Sequence, residues 1–185
     1  MKIAKIKTFL RPYSIYNQRS TTINHAFASA IAPVDSYNEK KFHEAMELLG
    51  QNPLNLMCAY CEKNRAETWD HANALVKSSN FSGFGHTIGN LIPCCKECNS
   101  KKGNKDWRQY ITKIYPDETL RNNKIEKFEK YFQTYSNPKI EYEEIIKLCP
   151  DEIKQLNDIK QQIFNLMKEA DKISEKVREK ISGIN

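Results

Sequence analysis

The residues best suited to chemistry lie within and just after a segment bounded by two Cys-x-x-Cys pairs. The first pair is Cys58 and Cys61, the second is Cys95 and Cys98, and 33 residues separate them. Four thiolates at this spacing can bind one tetrahedral zinc ion. The spacing therefore predicts a structural zinc site that closes the intervening segment into a loop.

Four polar residues inside this loop, or directly after it, are typical of a hydrolytic metal site. They are Asp70, His71, Asn90 and Asn99. Carboxylate and amide oxygens are hard ligands that suit Mg²⁺, and a neutral imidazole accepts a proton from water near pH 7. Zinc closure of the loop would bring these residue types together, which indicates hydrolysis rather than packing.

The order and spacing of these residues resemble the HNH, or ββα-metal, nuclease family in its zinc-bracketed form. The resemblance covers roughly residues 58–107. It depends on both cysteine pairs, on the Asp70–His71 dipeptide, and on Asn90 nine residues before Asn99. The flanking segments look most like those of HNH enzymes of the restriction type.

The resemblance implies a role for each residue of the motif. His71 would be the general base that activates water, while Asp70 and Asn99 would bind the catalytic Mg²⁺ at the scissile phosphate. Asn90 would hold the loop through side-chain hydrogen bonds. Lys102, three residues after Asn99, would bind the phosphate. Simpler alternatives are a histidine hydrogen-bonded at a strand end and, for Asn99, a helix N-cap.

Three further residues have no role implied by the motif. His86 lies in a loop with nearby glycines, where it would contact DNA, assist the metal or simply be exposed. Cys94 adjoins a predicted zinc ligand but breaks the two-residue spacing, so we interpret it as a bystander. Cys149 is interpreted as a buried or free thiol.

The distribution of charge favours a nucleic-acid partner. The 185 residues carry a formal net charge of +6, and the first 34 contain five basic residues and no acidic one. Those five are Lys2, Lys5, Lys7, Arg11 and Arg19, and a second cluster consists of Lys101, Lys102, Lys105 and Arg108. Cations beside a metal site suit a phosphate backbone, although short basic runs are also common on solvated surfaces.

The composition argues against a membrane or secreted protein. No stretch approaches the roughly 20 apolar residues of a membrane span, and the first residues lack the apolar run of a secretory signal. We therefore expect a cytoplasmic protein, in which six cysteines would stay reduced and serve as metal ligands before disulfides.

We predict an α+β fold in which mainly helical segments surround a small ββα-metal core bracketed by the four-cysteine zinc site. Residues 1–52 would form a basic arm and helices, residues 53–115 the nuclease core, and residues 116–185 a C-terminal helical region. Residues 1–22 show no clear period, which predicts an arm or a short strand before a helix from residue 24 to 32.

Further along the chain, Ser36 and Glu39 form a capping-box pattern that would begin a helix ended by Gly50. Residues 67–71 and 90–93 predict the two strands of the core, with an irregular loop between them. A helix would follow from about Cys98.

From Asp151 onward the sequence predicts one long helix of about thirty residues. Apolar residues repeat every seven positions in two interleaved sets. The sets are Leu156, Ile163, Ala170 and Val177, and Ile159, Leu166 and Ile173. The pattern fits either a homodimeric coiled coil or a helix packed on its own domain or on a partner.

The function predicted from these features is a zinc-stabilised, Mg²⁺-dependent HNH endonuclease that cuts DNA, with restriction of double-stranded DNA as the favoured context. One alternative is a toxin or anti-phage nuclease gated by a partner protein. Another is a non-catalytic zinc module that binds nucleic acid, against which the intact trio of Asp70, His71 and Asn99 argues. RNA as the substrate stays open.

Overall fold

The computed structural model describes residues 6–184, and the chain divides into two compact units. The first unit combines the described residues up to Phe27 with those from Ile145 onward, and the second runs from Ala28 to Glu144. Lys2 and Lys5 of the predicted basic arm lie outside the described residues. The three functional parts predicted from the sequence stay a prediction.

The first unit is helical where the sequence suggested an arm or a strand. Helix α1 spans Ile6–Phe9, and α2 spans Ile15–Ile31, so it begins well before residue 24. The start of α2 is stabilised by a residue distant in sequence: the Asp171 carboxylate accepts hydrogen bonds from the backbone N–H groups of Ile15 (2.6 Å) and Tyr16 (3.2 Å). Ser14 also caps this helix locally, because its hydroxyl oxygen accepts a hydrogen bond from the Asn17 N–H (3.1 Å). Only the contribution of Asp171 is invisible in the local sequence.

The predicted long C-terminal helix is confirmed. Helix α8 spans Pro150–Ser182, after α7 at Tyr142–Leu148, and begins with proline, which suits the first turn of a helix. Leu156 and Ile163 of the first heptad set are half-buried, whereas the second set is exposed. Within residues 6–184, no helix combines the length and the apolar character needed to cross a membrane.

The second unit holds the strands and the mixed core, which confirms the predicted α+β class. Its elements in chain order are α3 (Glu39–Leu48), β1 (Thr68–His71), β2 (Val76–Lys77), β3 (Asn80–Phe81), a 3₁₀ turn (Ile88–Asn90), β4 (Leu91–Cys94), α4 (Lys96–Lys102), α5 (Trp107–Ile114) and α6 (Glu118–Tyr135). Residues from the cysteine pairs and from α3, β4, α5 and α6 pack in one apolar cluster.

Strands β1 and β4 form the antiparallel pair that positions the site. Thr68 lies opposite Cys94, and His71 lies opposite Leu91. Helix α4 follows β4 directly and packs on β1, so the segment has the strand–strand–helix order that the sequence predicted. Because side chains alternate along a strand, Thr68 and Asp70 project to one side of β1, and Trp69 and His71 to the other.

Two local predictions differ from the structure. Asn38, rather than Ser36, caps α3, because its side-chain oxygen accepts a hydrogen bond from the Lys41 N–H (2.8 Å). The segment between β1 and β4 is more than an irregular loop, since β2 and β3 pair as a short hairpin within it. Gly50 does follow the end of α3, with a φ of +70° that glycine adopts without strain.

Candidate functional site

The four cysteines of the two Cys-x-x-Cys pairs come together. Their Sγ atoms all lie within 4.8 Å of one another, and three of the four residues are buried, with Cys61 half-buried. Tetrahedral zinc with Zn–S bonds of about 2.3 Å requires sulfur atoms about 3.8 Å apart, so only small adjustments would be needed. The cluster is compatible with the predicted zinc ion in both donor type and number.

The polar surroundings of this cluster suit thiolate ligands. Burial alone would raise the pKa of Cys95, but hydrogen bonds, first from the Cys98 N–H (3.5 Å) and then from the Asn64 side-chain amide (3.7 Å), lower it to about 7. Burial raises the pKa of Cys58 to about 11. A bound dication would lower the pKa of Cys58 again, because it favours the ionised thiol.

Asp70 is buried and makes two strong polar contacts. Its Oδ2 accepts a hydrogen bond from the Tyr60 hydroxyl (2.7 Å) and lies 2.9 Å from the Lys102 ammonium. Burial raises the pKa of the Asp70 carboxyl, while Tyr60 and Lys102 act in the opposite direction. Tyr60 and Lys102 therefore compensate the buried Asp70 carboxylate.

Lys102 is fully buried, and its ammonium group is occupied. Besides Asp70, its Nζ binds the backbone carbonyl oxygens of His71 (3.0 Å) and Gly103 (3.4 Å). The contact with a substrate phosphate stays a prediction, and it would require the ammonium to leave at least one of these partners.

His71 pairs with His86 through their rings. The Nε2 of His71 lies 3.0 Å from the Nδ1 of His86, and the ring planes are inclined by 72°. Burial, followed by the proximity of His86 and Lys102, lowers the pKa of His71 to about 4. His71 is therefore neutral at pH 7, the state that a general base requires.

Asn90 holds the loop that carries His86. Its side-chain oxygen accepts from the Asn73 N–H (2.8 Å), and its amide nitrogen donates to the carbonyl oxygens of Asn73 and Gly85 (both 3.0 Å). A Cβ at Gly85 would lie 2.2 Å from the Pro33 carbonyl oxygen, which in turn accepts the His86 N–H (2.8 Å). Asn90 thus fixes the backbone beside His86, and His86 contacts His71.

Asn99 lies within α4 and faces β1. Its amide nitrogen is 3.4 Å from the Thr68 hydroxyl, two residues before Asp70 on the same side of the strand. The N-cap of α4 is Cys95, so the alternative interpretation of Asn99 as a helix cap is wrong. Asn99 and Asp70 both lie at the β1–α4 interface.

The remaining candidates are a buried cysteine, an exposed cysteine and exposed basic residues that are already paired. Cys94 is buried, and burial raises its pKa to about 12, whereas Cys149 is exposed just before α8. In the second basic cluster, Lys101 binds Glu97 (2.6 Å) and Arg108 binds Glu129 (2.6 Å). These exposed pairs contribute little to stability and are easily exchanged for phosphate.

Sequence reasoning missed Tyr60 and left His86 undecided. Tyr60 lies between the two cysteines of the first pair, and its hydroxyl reaches Asp70, ten residues further along the chain. Its position between two zinc ligands was the only available signal. The interpretation of His86 as simply exposed is wrong, because the residue is half-buried against His71.

The HNH endonuclease family model matches residues 58–105. The matched HNH segment begins at Cys58 and ends just after α4. It therefore contains both cysteine pairs and the other predicted site residues, Asp70, His71, Asn90, Asn99 and Lys102. No curated protein and no solved structure matches the chain. The HNH segment supports a nuclease of this family with nucleic acid as its substrate.

Proposed function

We propose that this protein is a metal-dependent HNH endonuclease that hydrolyses DNA phosphodiester bonds, as a restriction enzyme that cuts DNA at defined sequences in the cytoplasm. The observation that carries the proposal is the β1–β4–α4 arrangement, in which neutral His71 lies at one side of the strand that also bears Asp70. The match to the HNH family over residues 58–105 supports the same conclusion.

In this proposal His71 is the general base. The Nε2–H group of His71 donates a hydrogen bond to the Nδ1 of His86, 3.0 Å away. The Nδ1 of His71 then carries no proton, and its lone pair is free. That nitrogen takes a proton from the water that attacks phosphorus in line with the departing 3′ oxygen. The products are a 5′-phosphate and a 3′-hydroxyl, and Asn90 acts indirectly by holding the loop of His86.

Asp70 and Asn99 would hold the catalytic Mg²⁺. Both offer hard oxygen atoms at the β1–α4 interface, and the ammonium group 2.9 Å from Asp70 indicates that this carboxylate is suited to a cation. When bound, the metal would stabilise negative charge on the phosphate and on the leaving oxygen. Lys102, once released from Asp70, would then bind a phosphate oxygen as a point charge.

The low pKa of His71 predicts activity that persists into mildly acidic solution. At pH 5.5 a histidine of ordinary pKa, about 6.5, would be about nine-tenths protonated and inactive as a base. With a pKa of about 4, His71 stays neutral there, so we expect kcat/KM for cleavage to change less than about twofold between pH 7 and pH 5.5.

Replacement of His86 by alanine removes a group that lowers the pKa of His71. We therefore expect the acidic limb of the pH–rate profile to move to higher pH in H86A. Initial rates of cleavage from pH 4.5 to 8.5 would measure this, with the exposed His25 replaced in a control protein. The prediction would be contradicted if the acidic limb of the wild-type profile lay at pH 6.5 and did not move in H86A.

A cleavage assay on plasmid and phage DNA tests the proposed function itself. With Mg²⁺ we expect discrete fragments whose ends carry 5′-phosphates, and we expect no cleavage after the addition of EDTA. A smear of fragments would support the proposed nuclease activity and exclude tight sequence specificity. Intact DNA in the presence of Mg²⁺, with binding still detected by mobility shift, would favour the non-catalytic zinc module.

One feature favours a second candidate, a nuclease effector gated by a partner protein. Ile159, Leu166 and Ile173 lie on α8 at seven-residue intervals and are 48%, 64% and 55% exposed. A stripe of this kind suits a second helix, either from another copy or from a partner. Sedimentation of the purified chain would separate a homodimer from a monomer that needs such a partner.

A further inference from the structure

We propose that a cleft beside His86 binds one unpaired nucleobase of the substrate strand, next to the phosphodiester that is cut. The cleft has a volume of about 380 Å³ and lies entirely within the second unit. Its walls include Tyr37, Phe42 and Trp69, with Asp35 and His86 as polar groups. This inference rests on the proposed nuclease function, because it names a part of that enzyme's substrate.

The position of the cleft follows from the alternation of side chains along β1. Trp69 lines the cleft, and His71 projects to the same side of the strand two residues later, roughly 7 Å further on. His86 also lines the cleft and lies 3.0 Å from the His71 ring. Because a stacked strand advances about 3.4 Å per nucleotide, the cleft lies within about two nucleotides of the reacting phosphate.

The aromatic side chains of the cleft suit a flat, neutral ligand. The ring centroids of Tyr37 and Phe42 are 6.3 Å apart, and those of Phe42 and Trp69 are 6.1 Å apart, so the three rings form a continuous series. Tyr37 is 78% exposed and Trp69 is 40% exposed, which leaves ring surface available. Bases of any sequence stack on such surfaces.

Asp35 offers the cleft a carboxylate oxygen that suits the amino group of a base. Asp35 accepts hydrogen bonds from the Ile88 N–H (2.9 Å) and from Lys41 (3.4 Å), and both bonds are made to its Oδ2. The other oxygen can accept the amino group of a base, as carboxylates do from cytosine. Lys41 forms an ion pair with Asp35 (3.4 Å) and offsets its charge, so the preference for a base rests on the hydrogen bond from its amino group and on the aromatic rings. Both place the base in the cleft and the backbone on the His71 side.

A base can enter this cleft only if it is unpaired. In a duplex both faces of each base are stacked and its pairing edge is occupied, so contact with the rings requires the base to leave the helix. The substrate would therefore be a single strand, a mismatched site or a duplex from which one nucleotide is extruded. Among DNA substrates, those with an unpaired base near the cut are expected to react fastest.

The test uses single-stranded DNA with one 2-aminopurine, a fluorescent adenine analogue that stacking quenches. H71A is the background protein, so that the strand is bound but not cut. We expect quenching on binding, and we expect Y37A in this background to weaken binding by about five- to a hundredfold. Y13A, which removes another exposed tyrosine in the first unit, is the matched control and should bind normally.

A strand with an abasic site in place of the 2-aminopurine separates stacking from other effects. The loss caused by Y37A should disappear on this strand, and W69L should behave as Y37A does. Equal losses on both strands, or no loss on either, would overturn the proposal. So would normal DNA binding by Y37A combined with a change in sedimenting mass, because the cleft would then join two protein copies.

The two proposals can fail separately. If the wild type cuts DNA and Y37A cuts every unpaired substrate at the same rate, the base-binding cleft is overturned and the proposed nuclease function stands. If the wild type cuts no nucleic acid with any divalent metal, but the quenching still depends on Tyr37, the proposed nuclease function is overturned and the base-binding cleft stands.

Discussion

Alanine in place of His71 is expected to lower the rate of phosphodiester cleavage by about 10²- to 10⁴-fold, the usual contribution of a general base. Binding of DNA should change little, because the predicted cation and phosphate ligands are other residues. The fold should also persist. The imidazole contacts His86, whereas the buried Lys102 binds the backbone carbonyl of residue 71, which alanine retains.

Single-turnover rates with saturating enzyme measure this effect without interference from product release. H25A is the matched control, since His25 is exposed on α2, and both variants should melt within a few degrees of the wild type. A cleavage rate in H71A equal to that of the wild type, in protein free of contaminating nuclease, would show that another group activates the water.

Removal of zinc is expected to unfold the second unit rather than only slow catalysis. Structural zinc in small domains contributes an apparent binding free energy of about 10–16 kcal/mol to folding. Here the first predicted ligand and the two residues after it belong to the apolar cluster, since Cys58, Ala59 and Tyr60 are all fully buried. If zinc removal unfolds this segment, the faces of α5 and α6 that pack on these residues would become exposed.

Thermal melting followed by circular dichroism, before and after treatment with a strong chelator, tests this prediction. C58S should lower the melting temperature by at least about 10 °C, whereas C149S, which changes an exposed cysteine, should leave it unchanged. Emission spectroscopy of the purified protein would establish the metal content. An unchanged melting curve after verified removal of zinc would refute the structural role.

The parts of the fold that the sequence predicted are those specified by local patterns. The spacing of the cysteine pairs sets which four sulfur atoms meet, and they do meet within 4.8 Å. The strands around Asp70 and Asn90 follow from short sequence patterns, and the long helix predicted from Asp151 follows from its seven-residue repeats. Within each cysteine pair, each strand and the long helix, the determining residues are close together in the chain.

The features that sequence reasoning missed depend on residues far apart in the chain. Asp171 stabilises the start of α2 across more than 150 positions, a contact that adds to the local cap by Ser14 and that no local pattern shows. Lys102 has the spacing of an exposed phosphate ligand, yet packing against β1 buries it completely on Asp70. The pairing of His71 with His86 likewise requires the loop geometry that Asn90 fixes.

The hydrogen bond from Tyr60 to Asp70 couples the two predicted metal sites. Tyr60 lies between two zinc ligands, and its hydroxyl orients the carboxylate that would bind Mg²⁺. Two ligands whose sites share a rigid element affect each other's affinity equally, because linkage is reciprocal. If zinc occupancy strengthens the binding of the catalytic ion, a bound catalytic ion would strengthen the binding of zinc by the same factor.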